Sequence, residues 1–409
     1  MRIIRAAEAD SVLARRSSRM AEAEEVVKPI IENVRKRGDA ALIDYARRFD
    51  GLESSCYLVP GHELAQAESQ VSSEFRSAII QAAANIEKFA RLQMPAEFKK
   101  QLTVGHTVGQ IVRPLESVAA YIPGGRYPLP STVLMTCVPA IAAGVPNLWI
   151  TTPKAVYETY AAASMLGVRN VARLGGAHAI AGFAFGTDTL PKVDRIVGPG
   201  NIYVAAAKKL LSGEVGIDFV AGPTEVLIIA NEGNPVWIAA DMIAQAEHDV
   251  DASALLLTTS RSLAEVVALE IEKQLLPGCA QQSLQTNGAI IVCESDAQCI
   301  ALSNQIAPEH LVLHEPELLL LVQNAGSVFL GPFSPEAAGD YATGPNHVLP
   351  TAGAARVRGG LSVMDFVKVI TVQELDKDAL ANVARAATTI ARAEGLEGHA
   401  RSIEVRLET

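Results

Sequence analysis

From Val118 to about residue 330 the chain alternates short apolar runs with segments of helical periodicity, and no other feature restricts its fold as much. Strands are expected at 117–122, 148–152, 170–174, 193–197 and 217–220, with helices between them at 131–143, 155–166, 178–186 and 201–211. A second round follows, with strands at 225–230, 253–258, 288–293, 310–313 and 327–330. Its helices are expected at 236–248, 261–275, 295–306 and 316–324. Such alternation calls for mostly parallel sheets covered by helices on both faces. Two βα sets of similar size imply an α/β chain of paired Rossmann-like domains facing a cleft, although no residue-level repeat relates them.

The flanks read differently. Residues 1–50 are charged and helical, and Ser73 to Leu92 places Phe75, Ile79, Ala83, Ile86 and Ala90 at helical spacing behind a serine cap. Residues 96–113 suit short polar strands. After about residue 352 an Ala-rich helix (Lys377 to Gly395) and a last strand (Ser402 to Arg406) look like an arm that clasps a partner. The expected divisions are a helical extension over 1–25, a helical part over 26–112 packing with the second Rossmann-like domain, the two domains at 113–223 and 224–351, and the arm at 352–409.

Composition narrows the function. Apolar residues make up 49% of 409 positions, enough for several cores, while a net charge of −10 disfavours nucleic-acid and anionic-membrane partners. No apolar run reaches the roughly 18 residues of a membrane span, and the N-terminus lacks the apolar core of a secretion signal. The five cysteines are odd in number and form no Cys-x-x-Cys pair, which fits a reducing cytoplasm and argues against a thiolate zinc site.

Polar residues gather at a few turns. The stretch Trp237 to His248 reads as a buried helix through Ile238, Met242 and Ile243, with Gln245 and His248 three apart on one face. That pair suits half of a metal site and equally an ordinary solvated helix end. Glycine turns close three strands, at Tyr121-Ile-Pro-Gly-Gly125, Leu174-Gly-Gly-Ala-His178 and Gly198-Pro-Gly-Asn201. Each opens a helix whose backbone N–H groups could meet a phosphate, though none has the G-x-G-x-x-G spacing and all also fit plain βα punctuation. Ala307-Pro-Glu-His310 sets two titratable groups, Glu309 and His310, at a strand start, where they could serve successive proton transfers. The loop Gly339 to His347 and the tail turn Glu394 to His399 add Asp340 and further histidines. Of only 8 histidines, His248, His310, His347 and His399 all occupy such turns, and with Gln245 and Asp340 they could satisfy a nitrogen/oxygen metal site.

In these motifs the chain resembles the histidinol dehydrogenase family. The resemblance is carried by Arg113-Pro-Leu, Tyr121-Ile-Pro-Gly-Gly, Ile196 to Tyr203, Ala221-Gly-Pro-Thr-Glu225, Gln245-Ala-Glu-His248, Ala307-Pro-Glu-His-Leu311, Gly339 to Thr351 and Glu394 to His399, in order along the chain. It implies oxidation of L-histidinol to L-histidine with NAD, in the last steps of histidine biosynthesis. It implies zinc held by Gln245, His248, Asp340 and His399, the last from the other subunit of an intertwined homodimer. Thr224, where the family usually has Ser, and Glu394 match substrate contacts, as do Gln245, His248, His310, Asp340 and His399. His310 matches the general base and Glu309 the residue that activates water. Tyr121, Asn201 and His178 match NAD contacts, with His178 standing where Gln is common. Two other readings remain: a paralogue acting on another small polar alcohol such as a sulfonated diol, and a binding protein that kept the fold and lost the chemistry.

Overall fold

The computed structural model describes residues 1–9, 20–124, 128–154 and 156–408. Residues 10–19 of the expected N-terminal helical stretch, Gly125 of the first glycine turn and Ala155 lie outside them. Three sheets organise the described residues. The first holds β4 (Ser117–Tyr121), β5 (Asn147–Thr151), β6 (Asn170–Ala172), β7 (Arg195–Val197) and β8 (Gly216–Ile217), all parallel, in the order β6-β5-β4-β7-β8. The second holds β9 (Glu225–Ile229), β10 (Ser253–Thr258), β11 (Ala289–Val292), β12 (His310–Leu313) and β13 (Ser327–Leu330), preceded at its edge by β1 (Ile3–Arg5). Its order, β1-β11-β10-β9-β12-β13, repeats the 3-2-1-4-5 pattern of the first sheet beyond the added edge strand. Both are doubly wound, and in each the order reverses beside the first strand.

Apolar content explains the layering. Every residue of β9 and of β10 is buried, as parallel strands covered on both faces require. Residues 218–224 lead from the carboxyl end of β8 to the amino end of β9. The remaining sheet is antiparallel: β14 (Val367–Leu375) pairs with β3 (His106–Pro114), which pairs with β2 (Phe98–Thr103).

Four expectations need correction. The helices within 26–112 pack chiefly on the first sheet's helices, with Asn85 reaching the Ala342 carbonyl of the expected second domain. Met20–Arg37 lies against Gly176–Phe185 and Ile202–Leu211, Gly61–Gln70 against Tyr157–Met165, and Ser73–Leu92 against Pro130–Ala143. The cause is the Gly176–Phe185 helix, whose residues Ala177 through Ala184 are all buried; a helix apolar all round must be covered on its outer face. Val27, Ile31 and Val34 supply that cover. The N-terminal extension, expected to be helical, begins with β1, which pairs in parallel with β11 and covers its edge. The expected strand at Ser402–Arg406 belongs instead mostly to a helix, Glu397–Glu404, tied by Arg392 to both Glu397 and Glu404. The segment 316–324 forms only a short 3-10 turn, Pro316–Leu321. Two elements, β14 and the Cys279–Asn287 helix, had no counterpart in the sequence reading. No described helix is long and apolar enough to cross a membrane.

Candidate active site

The amino ends of β9 and β12 lie side by side, with His310 opposite Val226 in the parallel register. Ahead of β12, Ala307 ends the Asp296–Ile306 helix in a left-handed conformation (φ 53°), costly for a residue with a Cβ. That turn drives Glu309 and His310 inward, where both are buried. Glu309 Oε2 accepts hydrogen bonds from Thr224 Oγ1 (2.6 Å) and from the Glu225 backbone N–H (2.8 Å). Burial nevertheless raises its proton affinity well above that of an ordinary carboxylate.

His310 Nδ1 lies 3.1 Å from the Glu225 carbonyl oxygen. A carbonyl can only accept, so Nδ1 carries the proton and Nε2 is left as a bare acceptor. Burial pushes His310 down to about 4, which keeps the ring neutral and able to take a proton at pH 7.

The adjoining Pro235–Ala246 helix is capped by Asn234 and presents Gln245, fully buried. Gln245 Nε2 donates to Thr224 Oγ1 at 2.8 Å, and Thr224 passes its own proton toward Glu309. This relay fixes which way the amide faces. Among the described residues, Gln245 Oε1 has no hydrogen-bond partner, and an orphaned buried oxygen is costly unless a ligand satisfies it. His248 follows the helix, its Nε2 3.6 Å from Asp340 Oδ2. His347 flanks the other side of Asp340, with Nδ1 2.9 Å from the Asp340 backbone oxygen. Burial pushes Asp340 upward, but the three imidazoles of His248, His347 and His310 outweigh it and hold the carboxyl below its ordinary range.

Two acids join this group that the sequence reading did not single out. Glu336 is 1% exposed, with Oε1 3.8 Å from His310 Nε2, and burial pushes it up to about 8. Ligand atoms of His248, Glu336 and Asp340 all lie within 4.8 Å of one another. Asp241, one turn before Gln245, is pushed up to about 6 by burial. Spacing held a signal for both, since Glu336–Asp340 and Asp241–Gln245 are four apart and so share a helix face. Carboxyls crowded so closely, several with raised proton affinity, mark a place built for a cation. The donors are nitrogen and oxygen only, a set that suits zinc.

Glu394 and His399 are not part of this cluster. Both are exposed, at the junction between the Lys377–Ala393 and Glu397–Glu404 helices.

At the carboxyl edge of the first sheet, Tyr121, His178 and Asn201 sit on three glycine turns, and each already has a protein partner. The Tyr121 hydroxyl accepts from the Gly176 N–H (3.1 Å), and burial raises the phenol to about 12. His178 Nε2 lies 2.9 Å from Asp50 Oδ2, which also accepts from the Gly175 N–H; Asp50 is 128 positions away and gave no sequence signal. Asn201 caps the Ile202–Leu211 helix through Tyr203 and Val204 N–H. The side chains shape the turns. The glycines are required there, because a Cβ on Gly198 would stand 2.2 Å from the Tyr121 carbonyl oxygen. The Gly175, Gly176, Gly198, Tyr203 and Val204 N–H groups of these turns are all held by protein acceptors, so the turns are rigidly set at the carboxyl edge of the sheet, the edge at which doubly wound sheets bind ligands.

A family model described as histidinol dehydrogenase matches residues 13–407. The chain belongs to the histidinol dehydrogenase family. A histidinol dehydrogenase of Geobacter sulfurreducens is 45% identical, covering 98% of this chain and 97% of its own length. One from Listeria innocua is 44% identical over 93% of this chain and 92% of its own. A crystal structure of histidinol dehydrogenase from Elizabethkingia anophelis superposes with a TM-score of 0.94 at 38% identity, covering 98% of this chain and 96% of that one. As a histidinol dehydrogenase family member, the chain is an α/β dehydrogenase whose acid–imidazole cluster lies at the amino edge of the second sheet.

Proposed function

We propose that this chain oxidises L-histidinol to L-histidine through L-histidinal, reducing two NAD, in the final steps of histidine biosynthesis in the cytoplasm. The observation that carries the reading is the relay from Gln245 through Thr224 to Glu309. It leaves one buried amide oxygen without a partner on the helix that leads to His248, and seats Glu309 beside His310.

Gln245, His248 and Asp340 fit zinc, with His399 of a second copy of the chain as the fourth ligand in a homodimer; bound there, zinc would grip the substrate's imidazole and amino nitrogens. NAD, lying across the Tyr121, His178 and Asn201 turns, would accept hydride. His310 Nε2 takes the hydroxyl proton as hydride leaves the carbinol carbon, giving the aldehyde. Glu309, with its raised proton affinity, draws a proton from water as the water oxygen bonds to the aldehyde carbon. The carbonyl oxygen takes back the proton held on His310 as the hydrate forms, and His310 Nε2 then accepts a second hydroxyl proton as hydride leaves the same carbon, giving the carboxylic acid, which ionises at neutral pH. Keeping both steps in one buried site protects a reactive amino aldehyde. Glu394 of the second copy would complete the substrate contacts.

Acids and imidazoles dominate this cluster, which favours a cationic or imidazole-bearing substrate over a sulfonated diol, whose anion the carboxyls would repel. An NADH assay with zinc-loaded protein, histidinol and such a diol tests the reading. Two NADH per histidinol and no turnover of the diol are expected; no histidinol turnover would overturn it.

A further inference from the structure

Glu336 is the buried acid that the mechanism above leaves without a task. It lies almost wholly out of solvent, and its Oε1 has no hydrogen-bond partner among the described residues. A buried carboxyl oxygen left unmatched is costly, so a ligand that satisfies it offsets a real deficit. Its place relative to His310 says which ligand atom. Nδ1 of His310 is tied to the Glu225 carbonyl, so the working nitrogen is Nε2, and Glu336 Oε1 faces that nitrogen across 3.8 Å. One oxygen at about 2.8 Å from each, a normal hydrogen-bond length, spans the gap. Glu309 stands on the opposite side of the ring, 3.7 Å from Nδ1, with Oε2 already holding two donors.

Packing fixes Glu336 in this position. The Glu336–Gly339 turn lies against Phe329, and a Cβ on Gly339 would fall 2.5 Å from that ring. Phe329 in turn packs beside the His310 imidazole, with ring centroids 6.0 Å apart. Base, ring and acid therefore form one packed unit.

We propose that Glu336 is a further catalytic residue: its carboxyl O–H donates to a lone pair of the reacting hydroxyl oxygen while His310 Nε2 accepts that hydroxyl's proton. This rests on the reading that the site oxidises an alcohol. The contact forms on the alcohol and again on the aldehyde hydrate, since each hydride transfer starts from a hydroxyl on the same carbon. Glu336 thus differs from Glu309, whose work falls on the aldehyde alone.

The test is Glu336→Gln in zinc-loaded enzyme, an isosteric change, with kcat measured separately on histidinol and on histidinal. Zinc content is read alongside, as is inhibition by histamine, which has the imidazole and amine but no hydroxyl. The expected result is a fall in kcat of about 10²-fold on both substrates, the scale of one positioned proton-handling or charge-stabilising group. Zinc stoichiometry and the histamine inhibition constant should stay at wild-type values. A fall of less than tenfold on either substrate overturns the proposal. So does loss of zinc, which would make Glu336 a metal ligand, or weakened histamine inhibition, which would make its role structural. If the unaltered enzyme fails to oxidise histidinol, the functional reading itself falls, and the two failures are distinguishable.

Discussion

Replacing Lys208 with methionine removes the cation from an ion pair buried beneath the Gly198 turn. The Lys208 and Asp218 side chains are 2% and 0% exposed and pair directly. Lys208 Nζ also donates to the Gly198 carbonyl at 2.9 Å, while Asp218 accepts from the Gly198 and Phe219 N–H groups, each at 2.7 Å. The pair therefore straps the peptide groups on both sides of one glycine, and Gly198 sits at φ 110°, where only glycine is unstrained. Methionine keeps the stem's length but leaves the Asp218 carboxylate buried with two backbone donors and no counter-charge. Breaking one side of a buried pair costs about 3–5 kcal/mol. For a chain of 409 residues, at roughly 1 °C per kcal/mol, the thermal midpoint should fall by about 5 °C. Because the strapped peptide leads into Asn201, the KM for NAD should rise about tenfold or more while zinc content is unchanged. Urea and thermal unfolding, with NAD titration of the surviving native protein, measure both effects. A loss under about 1 kcal/mol would refute the claim that this pair holds the turn.

Other residues give equally definite expectations. Thr224→Val breaks the relay that aims Gln245, so zinc should be retained about 10–100-fold less tightly against a chelator, whereas Thr224→Ser should behave as wild type; equal affinities in all three would contradict the relay. His310 binds its proton at about 4 in the folded chain against 6.5 when unfolded, so the unfolded state carries more protons between those values and stability must fall as pH drops through that window. The loss, about 3 kcal/mol in full, should be seen as a falling urea midpoint from pH 7 to pH 4 that is shallower in His310→Asn; parallel curves would show the ring is not buried neutral. His399→Ala should lose zinc, and mixing it with Asp340→Ala should restore part of the activity through sites built from both chains. No recovery on mixing would place each site within one chain.

The alternation from Val118 to residue 330 was readable because each buried strand is a short unbroken apolar run, as in Glu225–Ile229 and Ser253–Thr258. Gln245, His248, Glu309, His310 and Asp340 were found as polar residues at the ends of those runs, and the fold draws them together at one sheet edge. What the sequence hid depends on partners far along the chain. β14 is mostly exposed and pairs with β3 across more than 250 positions, so no local pattern announced it. The outer cover of the Gly176–Phe185 helix was assigned to the wrong domain, because helical periodicity gives the apolar stripe of Met20–Arg37 but not its destination. Asp50 carries no local signal, since its partner His178 lies 128 positions away. Glu336 had a usable spacing from Asp340, obscured by the small and turn-forming residues around it.

The central claim is that Gln245, His248 and Asp340 converge on one cation beside a base that is free at Nε2. A crystal of the zinc-loaded protein with histidinol, measured on both sides of the zinc absorption edge, tests it directly. One anomalous peak per chain is expected, about 2.0–2.2 Å from Gln245 Oε1, His248 Nε2 and an Asp340 oxygen, with His399 from a second copy closing the shell. A peak away from Gln245, or His399 remote from His248 in every copy of the assembly, would contradict it.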